Sequence, residues 1–323
     1  VIQLERFPYK RADFDGLTGG RCIQPNGLLM LGHGEHQRVL DGTFCVSNSE
    51  DLGGFFDEDS QKKGAVPTTA KLHSAADSLL DRLFPLEESQ RMPIIAITGT
   101  NGKTTPTRMT SHIMSVAGRK PGMVCTDGVI LNGEMIEKGD HCTRVGHLKV
   151  LTSKEVNFAV LETHLAGFLK CVFAFRFCDI AICLNVSEDH LGEVNITTVE
   201  QMAEVKRALP ERARQAVILN ADDPHCVAMF DKMTAGQKCL VSMNSSREQM
   251  QARHGIDLAC CCVLEMIDAQ QWLVIYDREQ RLPLMTVDSI PATFDGAAHF
   301  MISNAMHAIT ASYLSGVSLE VIR

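Results

Sequence analysis

Thr98-Gly99-Thr100-Asn101-Gly102-Lys103-Thr104-Thr105 is the stretch that decides how this chain is read. Before it, Pro93-Ile94-Ile95-Ala96-Ile97-Thr98 is a continuous apolar run with β-branched residues, the pattern of a strand buried on both faces. After it, Thr104 to Ala117 reads as a helix closed by Gly118. A glycine-rich turn between strand and helix lets backbone N–H groups turn inward around phosphate oxygens, and the helix N-terminus adds a favourable dipole. In such a loop Lys103 reaches the terminal phosphates and the Thr104 hydroxyl serves Mg²⁺. The general phosphate-loop pattern places glycine where this chain has Ile97, so the loop is a variant.

Strands and helices alternate outward from this point. Residues 157–161, 180–184 and 216–219 read as further buried strands, with Glu162, Asn185 and Asn220 at their C-terminal ends. Ligands of a parallel α/β sheet gather just beyond such ends. Residues 258–266 and 272–276 predict short antiparallel pieces, and Met301 to Leu314 predicts a helix stopped near Gly316. The expected fold is α/β: a mostly parallel phosphate-loop sheet flanked by helices, with a small antiparallel subsheet. Residues 1–90 differ from the rest. They are rich in Gly and Asp, with a candidate strand at 27–32 and helical spacing from Lys71 to Leu83. They predict a small N-terminal domain, or the tail of an upstream one, ahead of an ATP-binding domain over 91–323.

The net charge of -8 argues against a nucleic-acid or anionic-membrane partner. No apolar run approaches the roughly 20 residues that cross a bilayer, and Val1 to Arg6 lacks the regions of a signal peptide. Most of the twelve cysteines lie in apolar, strand-like segments, as buried thiols that behave as small hydrophobes. Cys260-Cys261-Cys262 lacks a second ligand pair, and neighbours on a strand point to opposite faces, so the run is a poor metal site. The expected compartment is a reducing cytoplasm. A homo-oligomer stays among the expected assemblies.

The variant loop resembles that of the Mur ligase superfamily, the ATP-dependent amide ligases that include the muramyl-peptide ligases and folylpolyglutamate synthase. The resemblance runs through Ile95 to Thr105, Thr126-Asp127-Gly128-Val129, Ala159-Val160-Leu161-Glu162-Thr163 and Leu184 to Gly192. It continues in Leu219-Asn220-Ala221-Asp222-Asp223, Ile290-Pro291-Ala292-Thr293-Phe294 and Asn304 to Val317. It is strongest to the Mur-ligase-like half of cyanophycin synthetases. It implies that Gly99, Thr100, Asn101, Gly102, Lys103, Thr104 and Thr105 hold the ATP phosphates and that Asn304 recognises adenine. It also implies that Thr104 and Glu162 hold Mg²⁺, that His190 holds a second metal ion, and that Lys206 matches a carbamylated lysine. Asp222 and Asp223 fall in the turn after the next strand. From the residues alone, an exposed lysine is the default for Lys206 on a polar helix, and a helix cap after Ile302-Ser303 is the alternative role of Asn304.

The chain departs from that pattern at several positions. Where cyanophycin synthetases carry Glu-Thr-Ala-Arg-Gly-Gly, it reads Glu162-Thr163-His164-Leu165-Ala166-Gly167. Pro106 replaces a threonine, which a first helical turn tolerates, and Met301 replaces an asparagine. An ATP-grasp half before this region and a closing domain after it are not seen in the sequence. The resemblance implies a ligase that activates a carboxylate as an acyl phosphate and joins it to an amine, with Lys103, Glu162, His190 and Lys206 as the catalytic set. The substrates it implies are arginine and aspartate side chains of a cyanophycin-like polymer. Two rivals stand beside it. One is a nucleotide-binding or scaffolding module without turnover; the other is a different phosphate-loop enzyme such as a small-molecule kinase.

Overall fold

The structure is a computed structural model that describes residues 92–164, 173–188, 196–254 and 258–323, with the backbone of three short strands before them. Contacts divide the chain into two units, Val1–Arg91 and Met92–Arg323. In the first unit β1 (Ile2–Gln3) pairs antiparallel with β2 (Leu28–Leu31), and β2 pairs parallel with β3 (Thr43–Val46). The strand expected at 27–32 corresponds to β2; the helix expected from Lys71 to Leu83 lies outside the described residues.

The second unit is built on one sheet of eleven strands. In chain order its first half comprises β4 (Ile94–Thr98), α1 (Thr104–Val116), β5 (Pro121–Cys125), β6 (Gly128–Leu131), β7 (Glu134–Lys138), α2 (Arg144–Leu151), β8 (Phe158–Glu162) and β9 (Cys178–Cys183). There follow α3 (Val199–Arg207), β10 (Ala213–Asn220), α4 (Pro224–Val227), β11 (Gln237–Ser242) and α5 (Arg247–His254). The last elements are β12 (Cys260–Ile267), β13 (Gln270–Asp277), β14 (Gln280–Thr286), α6 (His299–Leu314) and α7 (Leu319–Ile322). The spatial order is β14-β13-β12-β11-β10-β9-β4-β8-β5-β6-β7. From β12 to β5 every neighbouring pair is parallel.

The antiparallel part is wider than the sequence predicts. β12, β13 and β14 form the expected antiparallel pieces at one edge, and β5, β6 and β7 form a second meander at the other. Short strands joined by tight turns carried the second meander: Asn132-Gly133, both at positive φ, link β6 to β7. Both antiparallel ends continue the parallel sheet, so neither is a separate subsheet.

Both faces of the parallel region are covered, which explains the continuous apolar runs. Ile94, Ala96, Ala159, Leu161, Val217 and Leu219 face one core with Met202, Leu209 and Met229. The alternate residues Ile95, Ile97, Val160, Ile182 and Ile218 face the other, with Met114 of α1 and Ile302, Ala305, Met306 and Ile309 of α6. The same alternation divides the cysteine run: Cys260 and Cys262 lie in one core, Cys261 in the other. The nine cysteines among the described residues are buried and outside any disulfide.

β4 lies at the reversal in this order. The chain passes from β4 to β5 on one side, inserts β8 between them, and then crosses to β9 on the other side. A crevice opens beyond the C-terminal ends of strands where the winding direction changes. Thr98, Glu162 and Cys183 end the three strands that meet there.

Candidate functional site

The loop after β4 has the backbone that its sequence predicts. Gly102 adopts φ +80°, a conformation that costs a side-chain-bearing residue and that glycine takes freely. α1 starts at Thr104 with no side-chain cap and no acidic residue in its first turn. Its first backbone bond runs from Thr107 N to Lys103 O at 3.2 Å, so the N–H groups just before it precede the helical ladder. By contrast, α3 closes its N-terminus with a capping box between Thr198 and Gln201. Pro106 costs α1 nothing, because its missing N–H would have had no intrahelical partner. An uncapped helix N-terminus behind a glycine turn is suited to an anion.

Around this loop stand groups of several chain segments. Lys103 Nζ donates to Thr100 O at 2.8 Å, which folds the ammonium back along its own loop. Thr104 Oγ1 donates to Glu162 Oε2 at 2.9 Å and lies 2.9 Å from Thr126 Oγ1. Glu162 ends β8 and is 1% exposed. Burial raises its pKa, against the opposing effects of the Thr104 bond and the Lys103 charge. A buried carboxylate beside two threonine hydroxyls is an all-oxygen set, the kind that a hard cation such as Mg²⁺ takes, and a cation there would offset the desolvation. These residues fit the ion.

Behind Glu162, the buried His147 ring places Nε2 2.7 Å from Glu162 O. A carbonyl only accepts, so Nε2 carries the proton and donates. Burial lowers the His147 pKa to about 4, and the bond to Glu162 O opposes this in part. The imidazole is therefore neutral and holds the strand end in place.

Lys206 departs from the ordinary expectation of an exposed lysine: it is 3% exposed. The buried residues of α3 are Met202 and Lys206, four positions apart on one helix face. The Lys206 Nζ donates to Gly99 O at 3.2 Å, beneath the phosphate loop. Burial pulls its pKa down to about 8, with Cys183 opposing and Lys103 assisting.

Asn304 is no helix cap. α6 begins at His299, so Asn304 sits inside the helix, 6% exposed, where its side chain meets the loop. A Cβ built on Gly102 would stand 2.9 Å from Asn304 Oδ1. Asp223 caps α4 through bonds from His225 N and Cys226 N, and its other oxygen accepts from Val186 N at 2.7 Å. Asp222 accepts from Ser242 Oγ at 2.6 Å and Met243 N at 2.7 Å, so both acids serve turn structure. Asp189 and His190 lie outside the described residues, as do Leu165, Ala166 and Gly167. Gly99, Thr100, Asn101, Gly102, Lys103, Thr104, Glu162, Lys206 and Asn304 thus surround one loop.

Three contributors escaped the reading of the sequence. Thr126 was visible only as part of a motif, Asn185 only as a strand-end residue, and His147 carried no signal. Each acts across a long sequence separation, through contacts that only the folded sheet creates.

The family model of the Mur ligase middle domain matches residues 97–312. A cyanophycin synthetase from Geminocystis herdmanii is 38% identical over 260 residues, covering 80% of this chain and 29% of that protein. The UDP-N-acetylmuramoyl-L-alanyl-D-glutamate--L-lysine ligase of Streptococcus pneumoniae is 30% identical over 156 residues, 46% of this chain and 32% of that protein. Among solved structures, a UDP-N-acetylmuramoyl-L-alanyl-D-glutamate--2,6-diaminopimelate ligase shares the fold, with a TM-score of 0.56 at 19% identity. That match covers 77% of this chain and 48% of the other. The chain spans less than a third of the length of the curated relatives it matches. By the extent of the family match and the phosphate loop that lies within it, this chain belongs to the Mur ligase middle-domain family.

Proposed function

We propose that the chain forms the ATP- and Mg²⁺-binding part of a carboxylate–amine ligase, with residues 91–323 as the nucleotide domain and residues 1–90 as a separate small one. The observation that carries this is the bond from Thr104 of the phosphate loop to the buried Glu162 of β8, at 2.9 Å. It puts an oxygen set for a hard cation at the mouth of an anion-binding helix N-terminus. Thr104 and Glu162 would hold Mg²⁺. By family resemblance His190 would hold a second metal ion and Asn304 the adenine.

A carboxylate is a poor electrophile, because an amine cannot displace oxide from it. ATP supplies the phosphoryl group that converts the carboxylate to an acyl phosphate, and Mg²⁺ neutralises charge on the phosphates. The chain's own part is positioning and charge stabilisation. Lys103 and the N–H groups of Gly102, Lys103, Thr104 and Thr105 would bind phosphate oxygens, those of Thr100 and Asn101 being taken up by Asn185, and His147 fixes the strand end that carries Glu162. Lys206 has the lowered basicity that reaction with carbon dioxide needs, since only the uncharged amine forms a carbamate. Binding of ¹³C-labelled bicarbonate, followed by NMR of wild type and Lys206→Met, tests that role. A labelled signal equal in the two proteins rules it out.

The acceptor and amine we favour are aspartate side chains of a cyanophycin-like polymer and arginine. The support is the likeness to cyanophycin synthetases over 80% of the chain. The compartment we favour is the cytoplasm, where free thiols such as the nine buried cysteines persist. No helix among the described residues is long and apolar enough to cross a membrane.

The test is phosphate release with ATP, Mg²⁺, a panel of amino acids and aspartate-rich acceptors. Release that requires both amine and acceptor, and that vanishes in Lys103→Ala, supports the ligase. ATP binding without release points to a scaffold. A stable phosphorylated product without amide points to a kinase.

A further inference from the structure

We infer that Asn185 is the positioning residue that shapes the phosphate loop, an inference that rests on the nucleotide reading above. Asn185 lies just beyond β9. Its Oδ1 accepts the N–H of Thr100 and the N–H of Asn101, each at 2.9 Å. Its Nδ2 donates to Asn101 O at 3.0 Å, and its backbone carbonyl accepts from Thr100 N at 3.0 Å as well. One carboxamide thus grips both polar groups of residue 101 together with the amide before it. A carboxamide accepts two of these bonds at Oδ1 and donates the third from Nδ2, two separate atoms, whereas an aliphatic side chain offers neither role and a hydroxyl has one atom for both. Ser187 N donates to Thr100 Oγ1 at 2.9 Å, which extends the clasp. The clasping segment is itself fixed, through Val186 N and Asp223 Oδ2, to the cap of α4.

The consequence is a division of labour along the loop. The N–H groups of Thr100 and Asn101 are turned toward the end of β9, away from an anion. Those of Gly102, Lys103, Thr104 and Thr105 precede the Thr107–Lys103 bond that opens the helical ladder. Gly102, at φ +80°, is the joint between the two halves. Asn185 therefore determines which amides present themselves to phosphate, without touching the nucleotide itself. A residue that only kept the fold together would affect every part of a nucleotide site alike. A residue that shapes the loop acts on the phosphates alone.

Equilibrium binding of ATP and of AMP to the full chain separates the two, with thermal unfolding and amide hydrogen exchange run in parallel. AMP lacks the phosphates that the loop faces. Asn185→Ala is expected to lose at least tenfold in ATP affinity, to keep AMP affinity within twofold, and to exchange faster at the Asn101 amide, while the Thr100 amide keeps its bond to the backbone carbonyl of residue 185. Asn185→Asp keeps both accepted bonds, so those amides stay protected, and this variant carries the test if the alanine variant fails to fold. A smaller ATP loss, a matching loss for AMP, or unchanged exchange at Asn101 in Asn185→Ala overturns the inference, as does lost protection in Asn185→Asp. Wild-type protein that binds neither nucleotide overturns the nucleotide reading and this inference with it. Normal wild-type binding with an unaltered Asn185→Ala overturns the inference alone.

Discussion

The Thr104 hydroxyl donates to Glu162 Oε2 at 2.9 Å and joins the start of α1 to the end of β8, 58 residues further on. The carboxylate it meets is buried, and burial raises its pKa. The bonds from Thr104 and Thr126 and the charge of Lys103 offset only part of its desolvation, so the buried carboxylate is a standing cost to the fold. That cost is what a bound metal ion would remove.

Glu162→Gln should therefore stabilise the protein while removing its metal dependence. The amide keeps the bond from Thr104 and carries no charge to desolvate. Urea unfolding at pH 7 is expected to show a gain of about 1 kcal/mol. Nucleotide binding in the same variant should lose its response to Mg²⁺, as isothermal titration with and without the ion would show. A destabilised variant that still responds to Mg²⁺ would contradict both halves.

Gly102 and Gly118 share a φ of +80° but differ in surroundings. Nothing lies within 4 Å of a Cβ built on Gly118, whereas one on Gly102 stands 2.9 Å from Asn304 Oδ1. Each alanine substitution should cost about 1 kcal/mol of stability for the strained backbone. Only Gly102→Ala should also lower ATP affinity, by tenfold or more, because it displaces Asn304 and bends the loop. Comparing the two variants by unfolding and by nucleotide binding separates conformational cost from site damage.

Lys206→Met tests whether the buried amine matters beyond its volume. Methionine fills similar space, leaves no buried charge and loses the bond to Gly99 O. Stability is expected to change by less than about 1.5 kcal/mol. Amine-dependent phosphate release should fall at least tenfold. Full activity in the methionine variant would reduce Lys206 to a packing residue.

His307 should make the fold sensitive to mild acid. It is fully buried in α6, with Nδ1 donating to Ser303 O at 2.7 Å, and burial lowers its pKa to about 4. The unfolded chain takes up a proton near pH 6.5, whereas the folded one does not until about pH 4. The stability this neutral imidazole contributes is complete above pH 6.5 and is lost as the pH falls through that window. The slope from this group is up to about 1.4 kcal/mol per pH unit. Urea unfolding between pH 7 and 4.5 should show that decline, and His307→Asn should flatten it by about this amount.

Much of the molecule was legible in the order of its residues, because the signals were local. Ile94–Thr98 followed by a glycine turn and Lys103-Thr104-Thr105 specifies strand, loop and helix from neighbours alone, and the structure has all three in place. The buried strands at β8, β9 and β10 were visible as apolar runs, with ends displaced by one to three residues. The alternation of a strand, legible in Cys260-Cys261-Cys262, is what divides these three side chains between the two cores. Of the β5-β6-β7 meander only β5 was legible, as the apolar segment 122–125; β7, Glu134–Lys138, is polar and mostly exposed, so no apolar run marked the antiparallel return.

By itself, then, the sequence determined that a phosphate-binding turn sits between a buried strand and a helix, since those preferences act over a few bonds. Tertiary structure alone decided which distant groups share that turn. Insertion of β8 beside β4 brings Glu162 to Thr104, and the crossing to β9 brings Asn185 to Thr100 and Asn101. The packing of α3 buries Lys206 beneath Gly99, and that of α6 sets Asn304 against Gly102. Such neighbours arise from strand order and from burial of two apolar faces. Neither is written in the spacing of the residues concerned, because their contacts close loops of many tens of residues.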